Sequence, residues 1–285
     1  MTGVLTDRSN ATVESIKEGS QARILRVMPD GPKIRYRAGQ YGSLGMPSDA
    51  NPGAMIKRPY SLSSAMIDLA TDRLIDPQDM PSYEFYINRI QAPARGREAL
   101  TPKLFALQPG DRLFCGTKNV GFYTLEHVPP ERDLLLISSL TGESANNALA
   151  AQRLRHGRGR VGHLLLGPPG WRSLYAQEHD RLAARAPAYR VQHRVWDGDD
   201  EGLRELLGPL LADAPAARAA WGFALRPETC TVFLCGDPRM IGAPIKQGAW
   251  QYAQPAYGLI RLLTARGFEL GTRFKRGTIE YEAYW

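Results

Sequence analysis

The chain has 285 residues, with 36 Lys and Arg against 29 Asp and Glu for a net charge of +7; it is too long for one ordinary core and fits two domains of about 100 to 160 residues each. No apolar run approaches the roughly 18 residues of a membrane span, and Met1 to Asn10 lacks the charged-then-apolar layout of a secretory signal, so the expected compartment is the cytoplasm. Cys115, Cys230 and Cys235 form an odd set without metal-ligand spacing, which argues against a disulfide framework and a bound metal. The positive charge is moderate and spread along the chain. Apart from 153–158 there is no dense basic block with interleaved aromatics, so the sign points to an acidic protein partner and away from nucleic acid.

Residues 14–26, 36–44, 60–64, 83–90 and 111–114 read as short strands separated by Gly, Pro and Asp clusters, a spacing that favours an antiparallel barrel. Residues 100–107 carry a short helical pattern. The first domain should end near Val128, before the Pro129-Pro130 linker, giving domains 1–128 and 129–285. The pattern then changes to a continuous apolar run, 134–137, of the kind buried on both faces of a parallel sheet. A helix over 145–155, a strand over 161–166, a helix over 172–185 and strands over 189–195 and 231–234 complete an α/β alternation, with 197–201 as an acidic surface loop.

Chemistry concentrates at Arg58-Pro59-Tyr60-Ser61. In a strand, Arg58 and Tyr60 share a face and Ser61 points the other way. A planar cation, an aromatic ring and a hydroxyl so placed suit a flat, anionic ligand such as a flavin nucleotide, although the same residues also occur on solvated edge strands. Two further segments belong with them: Cys235-Gly236-Asp237-Pro238-Arg239-Met240 after an apolar run, and the tail Glu280-Tyr281-Glu282-Ala283-Tyr284-Trp285.

Together with Gly39-Gln40-Tyr41, Phe85-Tyr86-Ile87, Leu100-Thr101-Pro102 and Pro109-Gly110-Asp111, these segments resemble the ferredoxin-NADP(+) reductases, particularly the bacterial type whose chain stops on Tyr-Trp. The resemblance implies an FAD-binding antiparallel β-barrel followed by an α/β parallel-sheet domain that binds a nicotinamide nucleotide. It implies electron exchange between NADPH, or NADH, and an acidic one-electron carrier, a ferredoxin or flavodoxin. By the same resemblance Arg58 binds the flavin pyrophosphate, Tyr60 stacks on the ring and Ser61 hydrogen-bonds near N5. Tyr86, Leu100 and Thr101 belong to the flavin-binding set. Cys235 and Gly236 line the nicotinamide pocket, Glu282 serves proton delivery, and Tyr284 with Trp285 covers the flavin and yields to nicotinamide.

The chain departs from that pattern at three places. The family's Thr-Gly-Thr-Gly-x-x-Pro loop reads Thr141-Gly142-Glu143-Ser144-Ala145 after Leu140; Thr141, Gly142 and Ser144 remain to cradle phosphate, while Leu140 crowds it and Glu143 brings an anion. Only Arg172, with Tyr175, remains for a 2'-phosphate, and Asp197 and Asp199 disfavour one, which keeps NADH preference open. Trp171 and Trp196 either stack on adenine or pack. Glu98 stands three residues before Thr101, where the family has Gly. These departures keep two alternatives: an NADH-preferring reductase for free flavin, a quinone or an oxygenase component, and a flavin-binding protein that has lost dinucleotide turnover.

Overall fold

The computed structural model describes residues 9–89, 98–246, 252–272 and 275–284. The first half closes into a barrel of β1 (Ala11–Glu18), β2 (Ala22–Pro29), β3 (Tyr41–Pro47), β4 (Met55–Ser63), β5 (Tyr83–Asn88) and β6 (Arg112–Cys115), in the order β1-β2-β5-β4-β3-β6. Closure leaves no open sheet edge. Residues 14–26 are therefore not one strand: a turn at Gly19, whose N–H bonds Ala22 O at 2.8 Å, folds them into the β1–β2 hairpin. Alternation along β2 and β5 sends Leu25, Val27, Tyr83, Phe85 and Ile87 into the barrel core. Helix α1 (Thr101–Ala106) adds Leu100 and Leu104 to it.

The second half is a five-stranded parallel sheet in the order β13-β10-β7-β8-β9, built from β7 (Asp133–Ser139), β8 (Val161–Gly167), β9 (Tyr189–Val195), β10 (Cys230–Gly236) and β13 (Ile279–Ala283). Every residue of β7, β8 and β10 is buried, as their continuous apolar runs require of strands covered on both faces. Helices α2 (Glu143–His156) and α3 (Ala176–Arg185) cover one face; α4 (Asp200–Ala212), α5 (Ala214–Trp221), α6 (Pro238–Ile241) and α7 (Leu259–Thr264) cover the other. A small ribbon, β11 (Ile245–Lys246) with β12 (Tyr252–Ala253), lies between α6 and α7 in the chain. The expected barrel-plus-parallel-sheet architecture is thus the one observed.

Differences from the sequence expectation have local causes. Helix α3 starts at Ala176, because residues 172–175 are held in a turn by the Ser173 hydroxyl, which accepts from Tyr175 N–H at 2.9 Å. The acidic run 197–201 is half helix: Asp199 caps α4, its carboxylate accepting from Gly202 N–H. Helix α2 packs on the parallel sheet and also on β4 of the barrel, so it is buried almost all round despite its polar residues. That position brings β4 and the ends of β7 and β10 together.

Candidate functional site

Register carries the site residues to one place. Cys235 of β10 pairs with Glu282 of β13, and Gly236 with Ala283, so the C-terminal strand runs alongside the strand bearing the cysteine. Beyond it, Tyr284 N–H bonds Gly236 O at 2.9 Å. Gly236 adopts φ +129°, and a Cβ there would lie 2.3 Å from Ser139 Oγ, so the position demands glycine. Its neighbour Asp237 donates its backbone N–H to that same Ser139 hydroxyl at 2.7 Å.

From this frame a string of hydrogen bonds crosses to the barrel. The Cys235 thiol donates to Tyr284 Oη (3.2 Å), the phenol donates to Ser61 Oγ (2.7 Å), and Ser61 donates to Glu282 Oε2 (3.3 Å). Four of the expected site residues therefore meet, although 221 positions separate Ser61 from Glu282. Burial pushes the Glu282 carboxyl up to about 7, opposed by the Ser61 hydrogen bond. Burial also raises the Cys235 thiol well above its ordinary range, with the Glu282 charge adding to it, so Cys235 is a neutral wall of the site and not a thiolate nucleophile. Trp285 lies outside the described residues.

On β4, Tyr60 is half-buried against the barrel core and its hydroxyl is tied to Thr101, while burial raises its phenol. Arg58, two residues earlier and exposed, spends one N–H on Lys57 O (2.9 Å) and one on Glu98 O (3.2 Å), leaving further donors of its fork for an anion. Glu98 turns its carboxylate away from Arg58 onto Ser48, the Asp49 N–H at 2.7 Å and Lys103 at 3.5 Å. It braces the turn where a glycine would have left room. A fixed guanidinium, a flat ring held from behind and a hydroxyl at Ser61 fit a planar heterocycle carrying a diphosphate.

Two expected contacts, Tyr86 and Tyr175, are placed elsewhere. Tyr86 is 4 % exposed, stacks edge-on to Tyr175 and accepts from Leu174 N–H at 3.2 Å, so it faces the parallel-sheet half and not the Arg58–Tyr60 face. Tyr175 is 1 % exposed; its hydroxyl donates to Glu84 and is also 2.7 Å from Ser63 Oγ, which removes it from any 2'-phosphate. Leu100 and Thr101 are buried, Leu100 in the barrel core.

In the loop after β7, Leu140 takes a left-handed φ of 51°, the conformation that a glycine would adopt without strain. Gly142 approaches so closely that a Cβ would lie 2.1 Å from Cys235 O. Thr141 and Ser144 are buried, and the Ser144 hydroxyl donates to Thr141 O at 2.5 Å, so neither side chain is offered to solvent. Arg172 is exposed and close enough to His193 for its charge to help hold that imidazole low. Trp196 packs in the core with its Nε1–H on Asp199 O at 2.7 Å, and Trp171 lies over the Gly167 backbone.

No family model matches the chain. A flavodoxin/ferredoxin--NADP reductase of Shigella flexneri is 25 % identical over 221 residues, covering 74 % of this chain and 77 % of the relative. Among solved structures, a ferredoxin NADP+ reductase from Neisseria gonorrhoeae with bound FAD and NADP superposes with a TM-score of 0.70 at 18 % identity, covering 97 % of this chain and 98 % of that one. The chain has the ferredoxin-NADP+ reductase fold. The same reductase fold relates it to the FAD/NAD-binding domain of nitric oxide dioxygenase from Vibrio cholerae, with a TM-score of 0.61, 20 % identity and 98 % and 99 % coverage.

Sequence reasoning missed much of what surrounds this reductase-fold site. Glu84 joins Arg26 (2.9 Å) to Tyr175 between barrel and sheet, and Glu143, His179, Tyr189 and His163 form a buried polar cluster. Ionisable residues inside otherwise apolar strands and helices, such as His163 within β8, were the available signal.

Proposed function

We propose that the protein is an FAD-dependent oxidoreductase that passes electrons between NADPH and an acidic one-electron carrier, a ferredoxin or flavodoxin. The observation that carries this reading is the string Cys235–Tyr284–Ser61–Glu282, which unites the barrel strand bearing Arg58 and Tyr60 with the C-terminal strand and the cysteine strand. Arg58 holds the diphosphate and Tyr60 the ring, with Thr101 fixing the tyrosine's angle. A bound flavin supplies the conversion between a two-electron hydride and single electrons. Glu282, with its carboxyl raised to about 7, holds or releases a proton at physiological pH, and when it is protonated it frees the Ser61 hydrogen to be donated where negative charge develops. Tyr284 occupies the face that nicotinamide must reach, so it moves aside in turnover. The net charge of +7 supports an acidic carrier, and the three free cysteines suit the reducing cytoplasm. We assign residues 1–128 to the flavin half and 129–285 to the nucleotide half.

A second reading, NADH preference, is favoured by one observation: Arg172 is the one expected 2'-phosphate contact left in reach, because Tyr175 is buried. Anaerobic stopped-flow absorbance of the holoprotein at about 450 nm with NADPH and with NADH tests both. Bleaching that is faster at limiting NADPH supports the main reading, bleaching faster with NADH supports the second, and flavin reduced only by dithionite overturns both.

A further inference from the structure

Glu143, the residue that breaks the loop pattern, is fully buried in the first turn of α2. Its Oε1 accepts from Ser173 Oγ at 2.6 Å, Oε2 meets His179 Nε2 at 3.2 Å, and the Tyr86 hydroxyl also bonds it. Ser173 precedes α3, in the segment after β8. One carboxylate thus joins the loop after β7 to the loop after β8, the two connections that border the nucleotide seat at the carboxyl ends of a parallel sheet.

Contacts continue past His179 without a gap. His179 Nδ1 is 2.7 Å from Tyr189 Oη, which is 3.2 Å from His163 Nδ1; His163 Nε2 is 3.4 Å from Ser138 Oγ. Asn146 Nδ2 donates to Ser138 Oγ at 2.7 Å, and Tyr123 donates to Asn146 Oδ1 at 2.7 Å. Tyr123 packs in one cluster with Cys235 and Tyr284. The chain therefore starts beside the redox site and ends at the loop.

Proton counting selects one direction. Ser138 Oγ already accepts from Asn146, so its hydrogen needs an acceptor, and His163 Nε2 is the one in reach. His163 then carries its proton on Nδ1 and donates to Tyr189, Tyr189 donates to His179 Nδ1, and His179 donates from Nε2 to Glu143. The opposite direction leaves the Ser138 hydrogen unpaired in the interior, which costs about 1–3 kcal/mol. Burial and the neighbouring histidines hold the His163 pKa well below its ordinary value, in keeping with a neutral ring.

We propose that Glu143 is a positioning residue for the nucleotide loop: its buried carboxylate ties the β7 and β8 connections together and is the terminus toward which the whole chain from Tyr123 donates. This rests on the proposed function for the role of the loop, but the direction of donation stands independently. Ser173 and His179 bond different oxygens of Glu143, so Glu143→Gln sets an NH2 donor against one of these two donors, and the tie loosens while the flavin cradle is untouched.

The test uses flavin-loaded protein with 15N-labelled histidine. In the wild type the ring resonances should show protonated Nδ1 on His163 and protonated Nε2 on His179; the reverse pair overturns the proposal. E143Q should mix the His179 tautomers and raise KM for NADPH about tenfold, with kcat for ferricyanide reduction within twofold and flavin content unchanged. Tyr189→Phe, which cuts the chain midway, should alter the His163 signals while KM stays near wild type, because the Glu143 tie survives. Unchanged tautomers and KM in E143Q overturn the proposal. A wild-type protein that neither binds nor oxidises NADPH overturns the proposed function and the loop role with it, while the wild-type tautomers still decide the direction.

Discussion

Glu282 is the residue whose ionisation has the largest expected consequence. With its carboxyl raised to about 7 by burial, the folded chain keeps a proton that the unfolded chain releases in the ordinary carboxylate range. The unfolded state therefore binds fewer protons, and this group's contribution to stability falls as pH rises from the carboxylate range through about 7. Denaturant unfolding of wild type and Glu282→Gln between pH 4 and 8 should show the wild type losing stability relative to the variant across that window, and a constant difference would refute the shifted group. The sequence singled out Ser61, Cys235, Glu282 and Tyr284 by chemical type, and the structure brings these four side chains together. The places of Tyr86 and Tyr175 were not legible, because an aromatic with a hydroxyl serves a buried interface as well as it serves a ligand, and only the partners Glu84, Leu174 and Ser63 decide which.

At the scale of the element, the loop after β7 concentrates the strain. Leu140 holds φ 51° at a cost of about 1–2 kcal/mol for an L-residue, and a β-branched side chain is worse there. Leu140→Val should therefore destabilise by about 1–2 kcal/mol, whereas Leu140→Gly should lie within about 1 kcal/mol of wild type, relief of strain offsetting the added freedom of the unfolded chain. Urea midpoints measure both, and equal losses in the two variants would show that the left-handed backbone is not the constraint. Strand periodicity marked most of the sheet elements, but α4, α5, α6 and α7 went unread. Helix α4 hides behind an acidic run that looks like a loop, and its cap, Asp199, is recognisable only when Gly202 N–H is seen to bond it. The β1–β2 hairpin was hidden for the opposite reason: its turn at Gly19 is so short that two strands read as one.

At the scale of the whole molecule, the excess of positive charge bears on encounter and not on fold. Reduction of an acidic carrier should slow severalfold between about 50 and 300 mM salt as the Debye length shrinks from roughly 14 to 6 Å, while reduction of a neutral quinone at saturating NADPH should change little. Steady-state rates with the two acceptors measure the difference, and parallel salt curves would remove charge steering from the account.

The sequence by itself determined the two-part architecture, because hydrophobic period is a local property that survives without a partner. It could not determine which hydroxyl meets which carboxylate. The joining of Ser61 to Glu282 and Tyr284, the inward turn of Glu143 onto His179 and Ser173, and the burial of Tyr175 are all tertiary contacts, made where α2 packs between the parallel sheet and β4 of the barrel. Polar groups in that interior must find partners far away in sequence, and only the tertiary structure decides which ones are within hydrogen-bond reach.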